Sequence, residues 1–263
     1  MTRILAVVNQ KGGVGKTTTS VNLATAMAAV GKRVLLVDLD PQGNTSTGFG
    51  IASAQREKTS YDLLDGSTTV EEAAIATSIP NLSVIPATMD LTGAEIELVN
   101  VQNRETRLKS ALDAVADYDY ILIDCPPSLG LLTLNSLVAA HSVLIPLQCE
   151  FYALEGLSHL MKTIDMVKAR FNPELDVQGV VLTMYDRRNK LTEQIEADVR
   201  NVMGDQVYQT VIPRNVRISE APSHGKPALL YDLNCTGSRA YVQLASELLR
   251  RERKLPPSTR NAA

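Results

Sequence analysis

Residues 10–18 read QKGGVGKTT, set between an apolar run, RILAVVN at 3–9, and a stretch that begins near Lys16 and carries Val21, Leu23, Ala24, Met27 and Ala28 at helical spacing. A glycine-rich turn from a buried strand into a helix is a phosphate cradle. Small residues let backbone N–H groups close round phosphate oxygens, and the helix N-terminus adds its positive dipole. Within that loop the pattern assigns nucleotide contacts to Gly12, Gly13, Val14, Gly15, Lys16, Thr17 and Thr18. Lys16 reaches the β- and γ-phosphates, and the Thr17 hydroxyl coordinates Mg²⁺.

The rest of the chain follows the same alternation. Apolar, β-branched runs at 4–8, 34–37, 82–85, 120–123, 143–147, 177–182 and 207–212 predict buried strands, with helical spacing between them, as in Leu154, Leu157, Leu160, Met161 and Ile164. The fold class is α/β: a mostly parallel, doubly wound sheet flanked by helices, as in P-loop NTPases. Pro41 and Gly43, Pro126 and Pro127, and Pro213 all follow the carboxyl ends of these runs, the edge where open α/β sheets bind ligands. With 263 residues, 44% of them hydrophobic, a single ATPase domain over 1–255 is expected, and the Pro-, Ser- and Asn-containing tail 256–263 is expected to be disordered.

Cys125, Cys149 and Cys235 form no CxxC pair, and His141, His159 and His224 are scattered, so neither a disulfide framework nor a transition-metal site is signalled. No apolar stretch is long enough to cross a bilayer and no leader precedes the first strand, which predicts a cytoplasmic protein.

Two acidic segments follow strands. VLLVDLDPQGN at 34–44 places Asp38 and Asp40 two residues apart on one face. For Asp38, support of a metal's water shell and simple strand termination both remain open. YILIDCPPS at 120–128 ends an apolar strand in Asp124, a Walker B pattern that holds Mg²⁺ through water; Mg²⁺ keeps most of its waters and takes few carboxylates.

One residue departs from the general loop GxxxxGK[ST]: Lys11 precedes Gly12, making KGGVGKT the deviant Walker A motif. Here the chain resembles the ATPase family that includes ParA/Soj, MinD and the nitrogenase iron protein. The strings DLDPQGN, DCPPSLG and IPRNVRISEAPSHGKP (212–227) extend the resemblance to ParA/Soj over nearly the whole chain. The resemblance implies a homodimer that sandwiches ATP, with Lys11 reaching the phosphates of the other subunit. A second ammonium there offsets charge developing in phosphoryl transfer. It implies that Asp40 orients the attacking water, with a possible share in the Mg²⁺ shell, and that adenine is met by Thr183, Met184, Pro213 and Asn215.

The resemblance further implies a weak ATPase stimulated by a ParB/Spo0J-type protein. Its ATP dimer would bind double-stranded DNA without sequence preference, placing it on the nucleoid. Such binding needs Lys and Arg against phosphates. The net charge of −3 does not advertise this, yet residues 187–263 hold 13 basic against 8 acidic side chains, leaving 13 against 21 in residues 1–186. The DNA candidates in that basic third are Arg188, Lys190, Arg217, Lys226, Arg250 and Arg251.

Three other classes share parts of this pattern. A MinD-like membrane ATPase would end in an amphipathic helix, but Leu244, Leu248 and Leu249 sit at core-helix spacing before Pro256 and Pro257, so no membrane is expected. A metal-cluster carrier would need paired cysteines, where Cys125 stands alone. A nucleotide-sensing scaffold would not need Asp40.

Overall fold

The computed structural model describes residues 2–254. Its centre is a seven-stranded sheet: β1 (Arg3–Val7), β2 (Val34–Asp38), β3 (Ile75–Ala76), β4 (Leu82–Ile85), β5 (Tyr120–Asp124), β6 (Ser142–Gln148) and β7 (Asp176–Thr183), in the order β3-β4-β2-β5-β1-β6-β7. All pairings are parallel except that of β3 with β4. Every residue of β2 and β5 is buried, as a strand covered by helices on both faces must be.

Alternation with period two sends side chains into two cores. Ala6, Leu35, Val37, Ile121 and Ile123 enter one. Leu5, Val7, Leu36 and Leu122 enter the other, where they meet Leu23 and Met27 of helix α1 (Lys16–Ala29) and Tyr241, Leu244 and Leu248 of the C-terminal helix Thr236–Lys254. The leucines of that last helix are therefore part of the fold. Among the described residues no helix is long and apolar enough to cross a membrane.

Six of the seven expected strands form. The run 207–212 does not become a strand and makes only isolated parallel bridges, Val180 with Val207 and Tyr185 with Pro213. The physical reason is a competing acceptor. Glu247 of the C-terminal helix takes the backbone N–H groups of Gln209 and Thr210, each at 2.9 Å, and so lifts the middle of the run off the sheet edge. The run meets the sheet only at its ends, through Tyr208 N–H to the Val180 carbonyl and Ile212 N–H to the Leu182 carbonyl. The seventh strand is instead β3, two residues long and too short to stand out by periodicity. The expected tail at 256–263 lies outside the described residues.

Candidate nucleotide-binding site

β1 delivers the chain to the carboxyl edge of the sheet, and α1 leaves from it. Gly13 and Gly15 take left-handed conformations (φ 76° and 87°), which a side chain at either position would strain. Gly15 is the N-cap of α1 and offers no side-chain cap, so the amides of the first turn remain available to an anion. The loop is held at both ends: Asn9 accepts the Lys11 N–H and donates to the Pro146 carbonyl, while the Thr183 hydroxyl donates to the Val14 carbonyl at 2.8 Å.

The two loop lysines behave differently. Lys16 is buried and donates from Nζ to the Lys11 carbonyl at 3.0 Å; burial lowers its pKa, and the nearby Asp124 and Asp40 charges act against that. The Lys11 ammonium turns outward to an ion pair with Glu150, both side chains about half exposed.

Beneath the loop the sheet register sets Asp38 opposite Asp124. Asp124 accepts from Ser20 Oγ at 2.9 Å, from Thr45 Oγ1 at 2.7 Å and from the Thr17 hydroxyl. Burial pushes its carboxyl up to about 6. Asp38 accepts from the Ser46 N–H and hydroxyl, at 2.9 and 2.7 Å, and from the Asp40 N–H. Through these bonds Asp38 ties the end of β2 to the short helix α2 (Asn44–Gly48). Asp40 stands past the strand in a turn, where Oδ1 accepts the Gln42 N–H at 3.0 Å and the Asp40 carbonyl accepts the Gly43 N–H at 2.9 Å.

Thr17 and Asp124 thus meet at one point, a hydroxyl and a buried carboxylate beside a loop of free amides. All-oxygen donors of this kind fit Mg²⁺ held together with phosphates. Among the described residues no cluster of three His, Cys, Asp or Glu gathers to hold a metal by itself. Cys125 is fully buried, and burial pushes its thiol up to about 12.

Beside the loop, a cavity of about 270 Å³ is lined by Gly15, Thr18, Thr183, Met184, Pro213 and Asn215, among others, so the four residues expected around adenine do converge on the phosphate end. Two of them are also occupied locally. The Thr183 hydroxyl is taken by Val14, and Asn215 caps the helix Val216–Glu220 while donating to Thr236.

The basic candidates divide. Lys190, Lys226 and Arg250 are exposed. Arg188 chelates Asp186 at 2.9 and 2.8 Å yet stays 88% exposed, and Arg217 pairs with Glu220 at 3.0 Å. Arg251 departs from expectation: its guanidinium lies 4.1 Å over the Tyr208 ring and donates to the Val207 carbonyl and Glu247, which commits it to the fold.

Glu150, Ser20, Thr45 and Ser46 were not singled out by the motifs. Ser20 had a signal, since it lies one helical turn from Lys16 on the same face; Glu150 had none.

A strand, a glycine loop and a helix with a Walker B carboxylate beneath them define a P-loop nucleotide-binding protein, and Lys11 makes it one of the deviant Walker A type. The comparisons narrow this further. A family model described as "AAA domain" matches residues 2–177. The chain is 61% identical over 254 residues to the chromosome partitioning protein ParA of Caulobacter vibrioides, covering 95% of each. It is 57% identical over 249 residues to the sporulation initiation inhibitor protein Soj of Bacillus subtilis, covering 94% of this chain and 98% of that one. Among solved structures, cobyrinic acid a,c-diamide synthase from Mycobacterium smegmatis with bound ADP and magnesium superposes with a TM-score of 0.84 at 38% identity, covering 97% and 96%. The chain belongs to the ParA/Soj family of chromosome-partitioning proteins.

Proposed function

We propose that this protein is a Mg-ATP-dependent, dimerising ATPase that drives chromosome or plasmid segregation from the cytoplasm, acting as one domain. The observation that carries this reading is the division of labour between two lysines of one loop. Lys16 is turned into its own site, while the Lys11 ammonium faces outward on the rim, held only by a half-exposed glutamate. An ammonium so placed is available to phosphates bound by a second copy.

In this reading the loop amides, Lys16 and Thr18 hold the triphosphate, and the Thr183, Met184, Pro213 and Asn215 cavity takes adenine. Thr17 and Asp124, the latter through water, with Asp40 as a possible further ligand, hold Mg²⁺. Held there, the ion would supply positive charge that offsets the charge developing on the phosphates during transfer. Asp40 orients the attacking water, because positioning is most of what phosphoryl transfer asks of a protein. Lys11 from the second copy completes the charge, so hydrolysis waits on dimerisation and stays weak until a ParB/Spo0J-type protein stimulates it. The dimer sums basic side chains against DNA phosphates; Arg188, Lys190, Arg217, Lys226 and Arg250 are the candidates, and nucleoid association follows. Binding of ADP, an ATP analogue and magnesium by solved relatives, and the names of the curated ones, support the nucleotide and the process.

The test is gel filtration and double-stranded DNA retention with ADP, with ATP, and with ATP on Asp40→Ala. Monomers with ADP, and dimers retained on DNA with ATP and more persistently in the variant, are expected. A chain that stays monomeric with ATP in both forms overturns the proposal.

A further inference from the structure

Arg56 follows the short 3-10 turn Ser53–Gln55, outside every motif that identifies the site. Its planar guanidinium makes five hydrogen bonds: Nε and Nη2 to the Ile51 carbonyl (3.2 and 2.8 Å), Nη2 to Thr47 Oγ1 (3.0 Å), and Nη1 to the carbonyls of Ala87 (3.1 Å) and Gly43 (3.4 Å). None of these goes to the P-loop. One of them, Nη1 to the Gly43 carbonyl, reaches the turn that carries Asp40, while the others hold Thr47 of α2, Ile51 after it and Ala87 past β4.

Gly43 closes that turn through its N–H to the Asp40 carbonyl, and its own carbonyl accepts from both the N–H and the hydroxyl of Thr47 in α2. Gly43 is left-handed (φ 60°), and a Cβ there would collide with Arg56 Nη1 and stand 2.9 Å from the Ala87 carbonyl. The glycine thus serves two ends, the bend and the room for the guanidinium. Ala87, just past β4, is gripped a second time by Ser46 Oγ on its N–H. The Asp40 turn is therefore strapped from outside to the neighbouring strand end.

We propose that Arg56 is a positioning residue for hydrolysis: a clamp that holds the Asp40 turn in register with the phosphate loop. The inference rests on the reading that Asp40 orients the attacking water. A planar fork serves four separate acceptors here, which a lysine ammonium with three donors on a single atom does not replace.

The experiment measures ATP turnover and nucleotide affinity of the full chain for the parent, Arg56→Ala, Arg56→Lys and Asp40→Ala, with and without guanidinium ion at concentrations well below unfolding. Loosening a positioned group costs rate, so Arg56→Ala and Arg56→Lys are expected to lose about tenfold to a hundredfold in kcat. KM for ATP should move by less than about threefold, since ground-state binding is untouched. Added guanidinium should recover kcat in Arg56→Ala and leave Asp40→Ala inactive. Should Arg56→Ala fail to fold, Arg56→Lys carries the kcat and KM comparison. Parent-like kcat in Arg56→Ala beside an inactive Asp40→Ala overturns the clamp alone. So does full activity in Arg56→Lys, or a loss without guanidinium recovery. Parent-like turnover in Asp40→Ala overturns the reading beneath it.

Discussion

Asp38 and Asp124 close adjacent strands in register, both without exposed surface, and each holds one of two consecutive residues of α2: Asp124 takes the Thr45 hydroxyl and Asp38 takes Ser46. Two carboxyls so deeply buried beside one another carry a desolvation and repulsion cost.

That cost has a pH signature. Burial pushes Asp124 up to about 6, and burial with the Asp124 charge beside it pushes Asp38 up to about 7, both from 3.8. A carboxyl whose native pKa lies above its unfolded value binds protons more tightly when folded, so its native state is penalised as the pH rises between the two values. The nucleotide-free protein should therefore lose stability from about pH 4 to about pH 7 through these groups. Asp186, held down to about 2 by hydrogen bonds from Arg188, runs the other way below this window, while His141, lowered by burial from 6.5 to about 4, gains stability as the pH rises between those values and offsets part of the fall, so the difference between parent and Asp38→Asn carries the test. Urea midpoints at about pH 5 and about pH 8 should show a fall in the parent and a smaller one in Asp38→Asn; equal falls would count against this account.

The two lysines should separate by assay. Lys16→Ala removes a buried ammonium from the phosphate site and should weaken ATP and ADP binding alike, by roughly 2–5 kcal/mol in isothermal titration. Lys11→Ala should leave ADP affinity nearly intact and abolish the ATP-dependent dimer in gel filtration. Its hydrolysis should fall by about 10³-fold, the scale of a charge supplied across an interface.

Asp40→Ala should keep ATP affinity within a few-fold and lower turnover by about 10²–10⁴. Its side chain bonds only to the Gln42 amide of its own turn, so the fold should survive. Parent-like hydrolysis in a folded variant would remove Asp40 from the mechanism.

Two arginines of the basic third should give opposite results. Arg217→Glu should lower DNA retention and flatten its dependence on salt, with nucleotide affinity unchanged. Arg251→Ala should instead lower the melting temperature, because it removes a cation–π contact worth about 0.5–1 kcal/mol and the ion pair with Glu247. DNA retention measured on the folded Arg251 variant should match the parent.

Much of the site was legible because its chemistry is contiguous. Gly12 to Thr18 form one turn of consecutive backbone amides, and Asp124 stands at the end, and Asp40 just past the end, of strands that apolar runs announce. The run 207–212 read as a strand for the same local reason and misled, since nothing within it reveals that Glu247, in the C-terminal helix, takes the N–H groups a strand would have offered. The charge of Arg251 is visible in the sequence, while the Tyr208 ring beneath it is not.

The strand–loop–helix cradle, the parallel sheet and the candidates Lys16, Thr17 and Asp124 are legible in the residue order, because hydrophobic period and turn chemistry act over a few residues. Three-dimensional packing alone brings Lys11 to Glu150, Asp38 to Ser46, Arg251 over the Tyr208 ring and Arg56 to the Gly43 carbonyl. Those pairings join segments whose approach depends on how helices pack against the sheet, and residue spacing carries no record of that.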